Sequence, residues 1–208
     1  MLHSIIKNLN KYKCYHRKIS KLFLIITFTI ILFCSCKKDV SQNIDIFKYN
    51  EYSNISSLDP AFSSTLRNIW PVNQIFNGLV HLDENLKIKP DVAESWNISK
   101  DKKTYTFNLR KNVFFHKSEY FGKNLTRNVN AYDFEYSFQR LLDIKIASPG
   151  HWVFNTVESF KALNDSVFEI QLLKEFDPFL GILSMKYCSV VPHEVIAVSY
   201  THLTLPTN

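Results

Sequence analysis

Along "TYTFNLR", Tyr105, Phe107 and Leu109 alternate with Thr104, Thr106, Asn108 and Arg110. Successive side chains of a strand point to opposite faces, so this beat predicts a half-buried strand with its aromatic set inward. Lys111 and Asn112 supply a turn, after which Val113 and Phe115 predict a second short strand. "SVFEIQLL" has the same period, with Phe168, Ile170 and Leu172 set against Val167, Glu169 and Gln171. The beat changes in "NAYDFEYSFQRLLD", where Ala131, Phe134, Phe138 and Leu141 recur at three- and four-residue spacing. That spacing gathers them on one face of a helix, and Asn130 with Asp133 forms a capping pair at its start.

Elsewhere the pattern is broken by turn chemistry. "IDIFKYN", Ile44 to Asn50, alternates as a first strand, and Asp59 before Pro60 turns the chain. "STLRNIWPVNQIFNGL" predicts a helix broken or kinked at Pro71 and ended by Gly78. Asp177 and Pro178 predict the cap and first turn of a short apolar helix. "CSVV" predicts a strand and "PHEVI" the start of a further helix, while Trp96 and Trp152 are expected to pack against the core. Mixed elements, neither strictly alternating nor segregated, predict an α/β or mixed α+β domain.

Charge changes the picture at the N-terminus. The chain has 208 residues and a formal net charge of +6. Six basic residues, Lys7, Lys11, Lys13, Arg17, Lys18 and Lys21, fall before Cys36 with no acidic residue among them. The remainder balances 19 basic against 19 acidic side chains. The basicity thus belongs to a leader, and a charge-neutral remainder argues against nucleic-acid binding. The apolar run "LFLIITFTIILF" follows, too short to span a bilayer. Basic region, apolar region and Ser35 before Cys36 together predict a secretory signal peptide over residues 1–35. "LFCSC" resembles a bacterial lipobox, which implies acylation of Cys36; an uncleaved signal anchor is the competing assignment. Cys14 and Cys34 then leave with the leader, and Cys188 remains as a small buried hydrophobe with no disulfide partner.

Candidate chemistry is sparse. Gly78, Gly122, Gly150 and Gly181 build neither a phosphate loop nor a dinucleotide fingerprint, and no Gly-x-Ser-x-Gly elbow occurs. His116 and Glu119 stand three residues apart but have no third ligand nearby, so no metal site is expected. Glu94, Asp133 and Glu135 fit solvated or capping roles. The Asn-x-Ser/Thr sequences at Asn54, Asn97, Asn124 and Asn164 are incidental in a bacterial chain. No enzyme activity and no cofactor are expected.

Seven motifs in order carry a resemblance: "SSLDPAF", "IFNGLVHLDENLKIKPDVAESW", "KTYTFNLRKNVFFH", "NAYDFEYSFQRLLD", "ASPGHWVFNTV", "NDSVFEIQLLKEFDPFLGIL" and "VVPHEVI". Residues 44–196 thereby resemble the N-terminal part of family-five extracellular solute-binding proteins, the oligopeptide- and dipeptide-binding lipoproteins of ABC importers. The resemblance implies a periplasmic-binding-protein class II fold, here with part of lobe one (44–78) and the family's extra domain (79–196). Residues 36–43 would be a lipidated tether. "AVSYTHLTLPTN", 197–208, matches nothing that follows "PHEVI" in the family and is expected to be a translated adapter on a truncated gene. The family usually has a glycine in the two turns where this chain carries Asn85 and Lys103.

The same resemblance implies a monomer, tethered by lipid in the periplasm or cell envelope, that captures peptides and delivers them to permease subunits. The stretch after the "LDP" turn would supply main-chain contacts to the ligand, which by position are Ser63, Ser64, Thr65 and Leu66. A sensor or adhesin on the same fold, or an importer component for nickel chelate, haem or oligosaccharide, are the alternatives within the resemblance.

Overall fold

The computed structural model describes residue 50 and residues 54–202. The leader, Cys36, the tether and the predicted strand from Ile44 lie outside the described residues, as do residues 203–208 of the expected tail. After a 3-10 turn at Pro60–Phe62 come α1 (Leu66–Ile75), β1 (Val80–Leu82), β2 (Ile88–Pro90), β3 (Ala93–Ile98) and β4 (Thr104–Leu109). Next follow α2 (Ala131–Leu142), β5 (Val157–Asn164), β6 (Val167–Leu172), α3 (Phe179–Leu183) and α4 (His193–His202). β1 and β2 form an antiparallel hairpin, and the other four strands form an antiparallel sheet in the order β3-β4-β6-β5. Among the described residues no helix is long and apolar enough to cross a membrane.

The sheet follows directly from the period-two pattern. Tyr105, Phe107 and Leu109 on β4 are buried, as are Phe168, Ile170 and Leu172 on β6. The register sets Tyr105 opposite Ile170 and Phe107 opposite Phe168, so the apolar sets of the two central strands share one face. α2 covers that face with Ala131, Phe134, Phe138 and Leu141, all buried. Its start is the predicted capping box: Asn130 Oδ1 accepts from the Asp133 amide at 3.2 Å, and Asp133 Oδ2 accepts from the Asn130 amide at 2.9 Å. The opposite face of the sheet is polar and carries the cross-strand pair Lys161–Glu169 at 3.5 Å.

Four local expectations are corrected. α1 is not broken at Pro71, which lies inside the helix, and it ends at Ile75, short of Gly78. Val113 and Phe115 make no strand: the segment forms one bridge, Phe114 to Asn128, too brief to grow into a ladder. "CSVV" is not a strand either, because its amides go to different elements. Val190 N–H donates to Asn77 O, and Val191 N–H donates to Ser137 Oγ. Asp177 does not cap α3; its carboxylate accepts from Lys102 Nζ at 3.0 Å. Trp96 packs against the core beside Phe107, as expected, whereas Trp152 is 45% exposed.

The two glycine departures resolve one residue away from where they were expected. The left-handed residues are Leu86 (φ 59°) and Lys102 (φ 54°), not Asn85 or Lys103. Both follow a tight turn, closed by Leu86 N–H to Asp83 O and by Lys102 N–H to Ser99 O, each 2.9 Å. A side chain in this region costs about 1–2 kcal/mol against a right-handed conformation, and Leu86 recovers little of that because it is 78% exposed. Leu86→Gly is therefore expected to raise stability by about 0.5–1 kcal/mol after the added entropy of the unfolded chain is subtracted. Urea unfolding measures this directly, and a drop in stability would show that the exposed leucine packs after all.

Candidate functional site

The segment predicted to meet ligand leaves the Pro60–Phe62 turn and enters α1. Three polar ties hold that turn from behind. Asp59 Oδ1 accepts from the Ala61 amide at 3.0 Å, and the same carboxylate receives the Arg140 guanidinium through Nη1 at 3.2 Å and Nη2 at 2.6 Å. Ser148 Oγ donates to Ala61 O at 2.6 Å. Asn68, buried on the inner side of α1, donates to Phe62 O at 3.3 Å and to Ser56 Oγ at 3.0 Å. Contacts this distant in sequence fix the path of the backbone before it reaches the candidate residues.

Of those residues, Ser63 is buried and the next three are exposed. Ser63 Oγ has no hydrogen-bond partner among the described residues, and its amide donates back to Pro60 O at 3.1 Å. Thr65 occupies the N-cap position of α1 in extended conformation (φ −122°, ψ 150°) but makes no side-chain cap hydrogen bond. The first amides of a helix have no internal acceptor. α1 therefore starts with Leu66, 71% exposed, and no side-chain cap over its first turn. The Ser64 amide donates to Phe62 O at 2.8 Å, so the donor capacity of this exposed edge lies in the amides that follow it.

A cleft of about 550 Å³ lies elsewhere, lined by Ile75, Phe76, Val92, Val113, Val195 and Ile196 among others. Ser63 to Leu66 do not line it. Its walls are mainly apolar. His116 stands at this cleft with Nε2 3.2 Å from Ile75 O, and no cluster of three metal-ligating side chains occurs among the described residues. Cys188 is fully buried and burial pushes its thiol up to about 12, so it remains a packed apolar group.

Arg127 is a centre that sequence reasoning missed. It donates to Asp133 at 2.6 and 2.7 Å and to Glu194 at 2.6 and 2.8 Å, and it lies over the rings of Phe115 and Phe121. Burial alone would lower its pKa, but the hydrogen bonds to the two carboxylates outweigh that and raise it. Those same hydrogen bonds hold Glu194 below the usual carboxylate range. Arg127 thereby joins the 113–129 loop to the starts of α2 and α4. Only the acidic residue at each helix start hinted at this in the sequence.

The comparisons with known proteins agree with this architecture. The family model described as bacterial extracellular solute-binding proteins, family 5 Middle, matches residues 87–202. Di/tripeptide-binding protein 1 of Pseudomonas aeruginosa is 47% identical over 70 residues, covering 33% of this chain and 13% of that protein. Heme-binding protein A of Haemophilus influenzae is 37% identical over 138 residues, covering 58% of this chain and 24% of that protein. The chain thus spans a quarter or less of the length of these curated relatives. Among solved structures, the ABC transporter-associated periplasmic binding protein DppA from Helicobacter pylori, in complex with peptide STSA, superimposes with a TM-score of 0.63 at 29% identity. That match covers 72% of this chain and 31% of the other. With the family model matching more than half of its residues, the chain belongs to the family 5 bacterial extracellular solute-binding proteins.

Proposed function

We propose that this chain is part of the substrate-binding lipoprotein of an ABC importer, which captures di- or oligopeptides outside the cytoplasmic membrane and passes them to the permease. The observation that carries the peptide assignment is the 47% identity to a di/tripeptide-binding protein. In this reading the protein is monomeric, held at the membrane by acylation of Cys36, and it closes a hinged cleft over the ligand. One acyl chain binds a membrane only marginally, so more than one is needed at that cysteine.

A receptor for peptides of many sequences must recognise what all peptides share, the main chain. Hydrogen bonds from an exposed edge to an extended peptide achieve this without fixing side-chain identity. Ser63, Ser64, Thr65 and Leu66 are assigned that role, with the exposed amides entering α1 as donors and the buried Ser63 side chain as part of their support. The longer match to Heme-binding protein A favours a second reading, in which the ligand is haem.

Leu66→Pro tests the assignment in the full-length protein. Proline fits the first position of a helix, and Thr65 before it is already extended, so the fold tolerates the change while one amide donor is removed. Tripeptide affinity measured by calorimetry is expected to fall about tenfold, the effect of one hydrogen bond of about 1.4 kcal/mol, with thermal stability unchanged. Unchanged affinity would remove Leu66 from the site. Tight haem binding by a protein that ignores di- and tripeptides would instead reassign the ligand.

A further inference from the structure

We propose that the apolar cleft is a docking seat for the polypeptide that follows α4 in the longer protein, and not a pocket for a free ligand. This inference rests on the proposed reading of the chain as part of a larger binding protein. The cleft of about 550 Å³ takes its walls from three places: the end of α1 with Ile75 and Phe76, the 113–129 loop with Phe114 and Phe115, and α4 with Val195 and Ile196. Phe114 is 59% exposed here and Ile75 36%. Soluble proteins rarely leave a contiguous apolar surface open unless something binds to it. The walls are also fixed. Arg127, on the loop, holds Glu194 at the start of α4 at 2.6 and 2.8 Å while its guanidinium lies over Phe115 and Phe121. Loop and helix therefore cannot slide against each other without breaking those bonds, so the concavity is preformed.

Volume alone suits a small ligand as well as a chain segment, and the polar groups decide between them. A ligand pocket aims a few donors and acceptors inward to orient its occupant. In this cleft they are engaged by the protein itself. His116 Nε2 lies 3.2 Å from Ile75 O, and Asn77 Nδ2 donates to Asp91 at 2.6 Å. Asn77 O accepts from the Val190 amide at 2.9 Å, and Ser118 Oγ accepts from the Tyr120 amide at 3.4 Å. Lys117, the remaining polar residue of the lining, is exposed. What the walls offer is apolar area and shape, which fit the side chains of a packed segment. Position names that segment. α4 forms one wall, so polypeptide leaving its end starts beside the cleft. The chain covers 31% of the DppA structure that it matches, so most of a protein of that length lies outside it. A segment tethered by a short link meets its seat at an effective concentration of roughly millimolar order. An apolar contact too weak to hold a separate partner is then strong enough to stay occupied.

The test replaces Phe114 by the photoreactive analogue p-benzoylphenylalanine in the full-length protein, irradiates it without ligand and maps the cross-link by mass spectrometry. The expected product is a cross-link within one polypeptide, to residues that follow α4. A cross-link between two chains makes the cleft an interface between copies, and one formed only to added Ala-Phe-Ala makes it a ligand pocket; either overturns the inference. A cross-link confined to residues 1–202, or none at all, overturns it as well. Hydroxyl-radical footprinting of the wild type reads the same surface without a substitution. Phe114 is expected to oxidise as slowly as Phe138, which is fully buried. Oxidation of Phe114 at the rate of a half-exposed ring would mean that the cleft stands open. Calorimetry with tripeptides on the wild type decides the peptide function separately, since a protein that ignores peptides can still show the expected cross-link.

Discussion

Replacing Asp59 by alanine is expected to cost about 3–5 kcal/mol of stability, the range seen when one partner of a buried ion pair is removed. The size comes from what is left behind. Arg140 is 5% exposed, and Asp59 takes two of its guanidinium N–H groups across 81 residues of sequence. Without the carboxylate, a permanently charged group stays in the interior and loses the counter-charge and the two acceptors that Asp59 supplied. Asp59→Asn keeps an acceptor for the Ala61 amide and for one arginine N–H, so its loss should be smaller than that of alanine. The double change Asp59→Leu with Arg140→Met removes both charges and should recover all but about 1 kcal/mol, the part owed to the lost cap of the Pro60–Phe62 turn. Denaturant midpoints of the four proteins separate these contributions. A loss under about 1 kcal/mol in Asp59→Ala would mean that the guanidinium reaches water. Because this pair anchors the turn that leads into Ser63–Leu66, the alanine variant should also weaken ligand binding in the full-length protein.

What the sequence made legible were the elements whose pattern is local. β4, β6 and α2 each carry their own period, and Tyr105, Phe107, Phe138 and Phe168 could be placed in one interior from spacing alone. The capping box was legible for the same reason, since Asn130 and Asp133 are three residues apart. β3 and β5 were not, because each lies at an edge of the sheet and has mixed exposure. In Val157–Asn164 only Val157, Phe160 and Ala162 are partly buried, and bulges on either side of them disturb the alternation. The candidate segment after the "LDP" turn came from the family resemblance, and the contacts that hold it were not legible. Asp59 to Arg140, Ser148 to Ala61 and Arg127 to Glu194 are all long-range contacts between residues that in one dimension look like ordinary surface polars.

Phe138→Ala is expected to cost about 3–5 kcal/mol, as for other fully buried phenylalanines, and to leave a cavity that the fold cannot close. Phe138 is 0% exposed, and its ring centroid lies 4.8 Å from Phe154, 5.5 Å from Phe168, 5.7 Å from Phe160 and 6.1 Å from Phe134. Those four rings belong to α2 itself, the 151–154 turn, β5 and β6, so one side chain joins the helix to both strands beneath it and to the turn that leads into them. Edge-to-face rings contribute about 0.5–1.5 kcal/mol per pair beyond area, and because these contacts share one ring they are lost together and not as separable increments. Collapse is opposed by neighbours that are themselves fixed: Phe168 is held by strand pairing on both sides, and Phe134 by the capped start of α2. Phe138→Leu keeps most of the volume and should cost about 1.5 kcal/mol or less. Phe160→Ala should cost less than Phe138→Ala, because Phe160 is only partly buried. The same helix that seats Phe138 on the sheet presents Arg140 to Asp59, so α2 ties the sheet to the turn before Ser63–Leu66. Thermal unfolding of the three variants tests the ranking. If Phe138→Ala proved no costlier than Phe160→Ala, the aromatic cluster would not be the element that fixes α2 against the sheet.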